Sequence, residues 1–160
     1  MLVPFESLPE EARIWVYQSN RPFSEEEIQH ITKDLEAFLT QWTAHGSDLH
    51  AGYELPYNRF IVIGLDQSGA SASGCSIDAS VHFLQALEAK YGVTLLDRMN
   101  VTYKQGEYLA YKSLSEFRKM AKARSVSGKT IVFNNLVTNK QDYTENWEVP
   151  AAESWHSRFF

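Results

Sequence analysis

Apolar and polar residues alternate through "ARIWVYQSN" (12–20), the period of a strand with one buried face. At Phe23 the period lengthens. Ile28, Ile31, Leu35, Phe38, Leu39 and Trp42 recur at helical spacing, which predicts a helix with one apolar stripe. Its start is marked three times. Ser24 and Glu27 stand at capping-box spacing, Phe23 and Ile28 at staple spacing, and Glu25, Glu26 and Glu27 fill the first turn, where the helix dipole favours acids. Gly46 is the predicted stop.

"LHAGYEL" and "RFIVIGLD" follow, separated by "PYN", and read as two antiparallel strands. The unbroken apolar run from Phe60 to Leu65 marks the second as a central strand covered on both faces. Ile77, Val81, Leu84, Leu87 and Tyr91 form a second helical stripe ending at Gly92. Ser73 or Ser76 is its expected N-cap, with Asp78 in its first turn. "VTLL" predicts a short strand, and "NVTYKQGEYLAYKS" a hairpin turning near Gln105–Gly106. "SLSEFRKMAKA" predicts a third helix, opened by a capping box of Ser113 and Glu116. "KTIVFNNLV" is the last predicted strand, and an aromatic tail, "YTENWEVPAAESWHSRFF", ends the chain.

The order strand–helix–strand–strand–helix–strand predicts an α+β fold of the ferredoxin-like (split βαβ) kind, an antiparallel sheet with helices on one face. Extra C-terminal strands, a helix and the tail would be added to it. No linker interrupts the chain, so residues 1–160 are expected to form one domain, with a core over about 12–112 and an extension over 113–160.

Composition narrows the function classes. With 44% hydrophobic and 22% charged residues in 160, the chain has material for one ordinary core. A net charge of −5 argues against a nucleic-acid or anionic-membrane binder. The most basic stretch, "FRKMAKARSVSGK", has the spacing of a solvated helix face. The single cysteine allows no internal disulfide. "MLVPFESLPEE" has neither the basic nor the apolar region of a secretory signal, and the Phe60–Leu65 run is too short to span a bilayer. A cytoplasmic location is expected.

Between the central strand and the second helix lies "GASASGCS" (69–76). Gly69, Gly74 and Ser76 fall in the register of the phosphate-binding loop G-x-x-x-x-G-K-[ST], but Cys75 stands where the lysine belongs. A neutral thiol brings no charge to the β- and γ-phosphates. Thr94 interrupts the run leading to Asp97, the candidate magnesium residue, and no "LSGGQ" signature follows. ATP hydrolysis is therefore not expected. Two other uses of the loop remain. Gly69, Ser71, Ser73, Gly74 and Ser76 could cradle a small anion at the helix start, or the serines could serve only as caps. Cys75, at a helix N-terminus, could act as a thiolate nucleophile with His156 as base and Glu153 orienting the ring, or could be a small buried filler. His82 lies on the same predicted helix, too far along it to serve. His45, Asp48 and His50 have no accompanying ligand cluster of zinc-site spacing and read as turn residues. Trp147, Trp155, Phe159 and Phe160 either dock the tail across its own domain or serve a partner or second copy.

"GASASGCSIDASVHF", "MNVTYKQGEYLAYKSLSEFRKMAKA", "TIVFNNLV" and "NWEVPAAESWHSRFF" together resemble a family of small bacterial proteins whose members carry the label "ABC transporter ATPase". The resemblance spans the whole chain and implies no catalytic residue. The combined expectation is a non-catalytic domain that binds a small ligand or a protein and needs no cofactor or metal. The alternative is a thiol-dependent enzyme using Cys75.

Overall fold

The structure, a computed structural model, describes all 160 residues. In chain order its elements are β1 (Arg13–Gln18), α1 (Glu25–Gln41), β2 (Thr43–Ala44), β3 (Ser47–Asp48), β4 (His50–Glu54), β5 (Phe60–Asp66) and α2 (Gly74–Tyr91). After them come β6 (Asn100–Gln105), β7 (Tyr108–Ser113), α3 (Leu114–Lys122), β8 (Ile131–Phe133), α4 (Lys140–Asn146) and β9 (Glu148–Pro150). Every strand pair is antiparallel, so the class is α+β. No helix is long and apolar enough to cross a membrane.

α1 begins as its sequence predicts. The Ser24 hydroxyl accepts from the Glu27 N–H at 3.1 Å while the Glu27 carboxylate accepts from the Ser24 N–H at 2.9 Å. Its end differs. The helix stops at Gln41, before Gly46, because Trp42 takes an extended conformation and its indole N–H donates to the Ser76 carbonyl at 2.8 Å. Gly46 instead shares the β2–β3 turn with His45, both at positive φ (79° and 52°), the backbone that a two-residue hairpin with right-handed strand twist requires.

The first sheet has the order β1-β5-β4. β5 is central, and its period-2 alternation serves two cores. Ile61, Ile63 and Leu65 pack with Ile31, Leu35 and Leu39 of α1 and Leu84 and Leu87 of α2. Phe60 and Val62 face the other way, toward Phe5, Leu8, Val137, Tyr143 and Trp147. α2 is rotated by one residue from its predicted stripe: its buried face starts with Ser76 and Ser80, while Ile77 and Val81 are half-buried. Asp78 falls beyond the first turn, since the helix already begins at Gly74. "VTLL" is not a strand. The Glu88 carboxylate accepts the N–H groups of Leu95 and Leu96 at 2.7 and 3.1 Å, removing donors that a ladder would need.

The second sheet has the order β7-β6-β8-β9. In a split βαβ unit β6 would lie beside β1. Here it pairs with β7 and β8, and the outer edge of β1 is met by residues 138–139 through an Ile14 N–H to Thr138 carbonyl bond of 2.9 Å and a bridge between Arg13 and Asn139. Residues 113–160 are therefore part of the core rather than added to it. Val132 and Ala151 join Val101, Tyr103 and Phe117 in a third core, on which Trp155 and Phe159 pack. A helix that the aromatic pattern did not announce, α4, runs into the start of the tail and is capped by the Asn139 side chain on the Asp142 N–H at 2.8 Å.

The N-terminal segment crosses β4 at a glycine. A Cβ on Gly52 would lie 2.7 Å from the Val3 carbonyl oxygen and 3.0 Å from the Phe5 Cα. That backbone is fixed by the Val3 N–H to Ala51 carbonyl bond at 2.9 Å and the Ala51 N–H to Met1 carbonyl bond at 3.1 Å. Gly52→Ala should cost about 1–3 kcal/mol by overpacking, read as a lower urea midpoint. Gly69→Ala, whose Cβ meets nothing within 4 Å, should not lower it. Equal midpoints for the two variants would contradict the close approach.

Candidate functional site

The 69–76 loop is organised around its own helix. Ser73 is the N-cap of α2: its hydroxyl accepts from the Ser76 N–H at 3.1 Å, and the Ser76 hydroxyl accepts from the Ser73 N–H at 2.7 Å. Ser76 also donates to the Ser73 carbonyl at 2.9 Å. Both hydroxyls thus take part in the cap. Ser71 is exposed, and Gly69 and Gly74 have open space where a Cβ would be. Cys75 is exposed rather than a buried filler. It lies in a surface groove with Phe38, Trp42, Ser73 and His45.

His156 lies elsewhere. It is 1% exposed and lines a second hollow, so the imidazole that shares a groove with Cys75 is that of His45. His45 and Asp48 belong to the β2–β3 hairpin and His50 opens β4. No group of three or more His, Cys, Asp or Glu side chains converges as metal ligands would.

The hollow holding His156 is a cavity of about 70 Å³ between the two sheets, well above the roughly 10–15 Å³ that one water needs. Its walls are the end of β1 (Val16, Tyr17, Gln18), residues 95–98, the start of β6 (Asn100, Val101, Thr102), Phe133 with Asn135 and Leu136, and Trp155 with His156. Gln18 joins the walls. Its Nε2 donates to the Asn100 carbonyl at 2.8 Å, and its Oε1 accepts from Thr102 Oγ1 at 2.7 Å and Asn135 Nδ2 at 3.0 Å. Asn135 Oδ1 in turn accepts the Trp147 indole N–H at 2.9 Å. The centre of this network, Gln18 and Thr102, is buried, and each of these side chains has a partner, so the network holds the walls in one arrangement.

At the other wall Trp155 and His156 stack, with ring centroids 3.8 Å apart and planes at 25°. His156 Nδ1 and Ser154 Oγ are hydrogen-bonded at 2.8 Å. Burial, reinforced by the nearby Arg158 charge, pushes the imidazole pKa down to about 4, so it is neutral near pH 7 and a weak base. The Trp155 indole N–H has no partner at all. It is the one buried side-chain polar atom of the chain left without one. Arg98 and Leu136, both exposed, stand at the mouth.

Sequence reasoning picked out His156 and Trp155 but not Gln18, Thr102, Asn135 or Arg98. The one available signal was Gln18, a polar residue continuing the alternation of "ARIWVYQSN" onto a buried position. No protein-family model, no curated protein and no solved structure matches this chain.

Proposed function

We propose that this protein is a non-catalytic binding domain whose small ligand occupies the cavity between its two sheets. The orphaned Trp155 N–H carries the reading. A buried donor without an acceptor costs about 1–3 kcal/mol, and a ligand acceptor beside it recovers that cost on binding. Mixed walls support the same reading, since ligand sites are largely apolar with a few placed polar groups. The walls hold no buried carboxylate and their imidazole is a weak base, which favours binding over acid–base chemistry. Within this reading the first half of the chain is a split βαβ unit without its fourth strand, supported by the order β1-β5-β4 and by α1 and α2 sharing one core with it. The family label suggested by resemblance is kept only as a name: the loop that would bind ATP has Cys75 in place of a lysine.

A thermal-shift screen of carboxylates, amides, phosphates and nucleotides tests the proposal. A ligand at a hundred times its Kd stabilises by about 2.7 kcal/mol, which raises Tm by several degrees. Leu136 is 58% exposed at the mouth, so Leu136→Trp should narrow the entrance without unfolding the protein and abolish the shift, while Gly74→Val should leave it. The opposite pattern would move the site to the 69–76 loop. A flat screen, or Mg-ATP turnover with phosphate release, would overturn the proposal.

A further inference from the structure

We propose that the inter-sheet cavity takes a monocarboxylate with a short apolar stem, an assignment that rests on the binding role above and adds the chemical class of the ligand. Four side-chain oxygens of its walls already accept hydrogen bonds. Asp97 Oδ1 accepts from the Met99 N–H at 2.7 Å and Oδ2 from Asn100 Nδ2 at 2.8 Å. Gln18 Oε1 and Asn135 Oδ1 hold the partners described above. The free groups are donors. The Trp155 indole N–H has no acceptor, and the guanidinium of Arg98 enters none of the chain's ion pairs. His156 has only its Nδ1 engaged, by Ser154. If the Ser154 hydroxyl donates to Nδ1, the neutral ring carries its proton on Nε2 and adds a further donor.

Unpartnered donors in the wall favour an acceptor, and an arginine outside every ion pair at the mouth favours a charged one. A carboxylate presents two acceptor oxygens with one negative charge, which suits a neutral indole N–H inside and a guanidinium at the rim. Val16, Leu95, Leu96, Phe133 and Leu136 give the lining an apolar part. With about 70 Å³ available, the head group and a stem of a few carbons fit, and a longer tail would leave over Leu136.

The test follows the four tryptophan indole N–H resonances while acetate, butyrate, benzoate and the neutral amide butyramide are titrated separately into the whole protein. Trp155→Phe assigns the Trp155 signal and deletes the donor while keeping an aromatic ring. The expected result is a saturable shift of the Trp155 resonance with at least one carboxylate, roughly tenfold weaker binding of butyramide than of butyrate, and a similar loss of carboxylate affinity in Arg98→Met. Arg98 is exposed, so that variant should fold, and unchanged spectra elsewhere will show it. Butyramide binding as tightly as butyrate, or full carboxylate affinity in Arg98→Met, would overturn the carboxylate class and leave the cavity role standing. No carboxylate moving Trp155, while another compound gives a thermal shift lost in Leu136→Trp, would do the same. No carboxylate response together with a flat thermal screen would overturn both.

Discussion

Between pH 6.5 and pH 4 the protein should lose about 3 kcal/mol of unfolding free energy, and His156→Phe should remove most of that slope. The His156 imidazole is lowered from its ordinary 6.5 to about 4, and each pKa unit corresponds to about 1.4 kcal/mol. Burial is the main cause, since a charged ring would have to leave water for a site between Trp155 and Phe117. The Arg158 charge adds to it. In this pH window the unfolded chain binds the proton and the folded chain does not, so stability rises with pH and is lost on acidification. A second group acts lower down. Glu27 is held near 2 by the Arg21 guanidinium and the Ser24 N–H, so its contribution is present above about 4.5 and is lost as pH falls from there toward 2. Urea unfolding at half-unit steps of pH separates the two. The same slope above pH 4.5 in wild type and His156→Phe would mean that another group causes it.

Arg59→Met should cost about 3 kcal/mol at neutral pH. Arg59 is 8% exposed and has no carboxylate partner. Its guanidinium donates to three backbone carbonyls: Ser19 at 3.4 Å, Asn20 at 3.0 Å and Leu109 at 3.0 Å. Ser19 and Asn20 follow β1, and Leu109 lies in β7, so one side chain ties the two sheets together. Desolvation is visible in its lowered pKa, and the carbonyl dipoles offset that cost. Methionine fills much of the volume and removes every donor, leaving carbonyls that cost about 1–3 kcal/mol each where water does not reach them. Arg59→Lys should recover less than half, because a single ammonium cannot span carbonyls placed for a planar fork. A loss below 1 kcal/mol in Arg59→Met, measured by equilibrium urea unfolding, would show that the sheets hold together without it.

The candidate site was legible only in pieces. His156 and Trp155 stand together in the sequence, but their importance comes from Gln18, Asn100, Thr102 and Asn135 across the cavity, up to 138 residues away in the chain. The glycine–serine loop attracted attention through a spacing shared with phosphate-binding loops. Its Ser73 and Ser76 are bonded to each other, and the Trp42 indole fixes the Ser76 carbonyl from another element. Cys75 and His156, plausible partners as residue types, line different hollows because one opens α2 and the other lies in the C-terminal segment under α3.

Sequence by itself determined what depends on near neighbours: the Ser24 cap, a serine cap on α2 at Ser73 or Ser76, the Gly92 and Gly106 turns, the unbroken apolar run of β5, and the hairpins β4–β5 and β6–β7. Those features need only a few consecutive residues, whose hydrogen bonds and dihedral preferences travel with the chain. The tertiary structure decided which strands share a sheet, where α1 stops, that Leu95 and Leu96 give their amides to the Glu88 carboxylate, and that a cavity forms with an unpaired indole in its wall. Such outcomes are set by contacts between distant segments, where an edge such as that of β1 has several suitors and the best overall packing selects one.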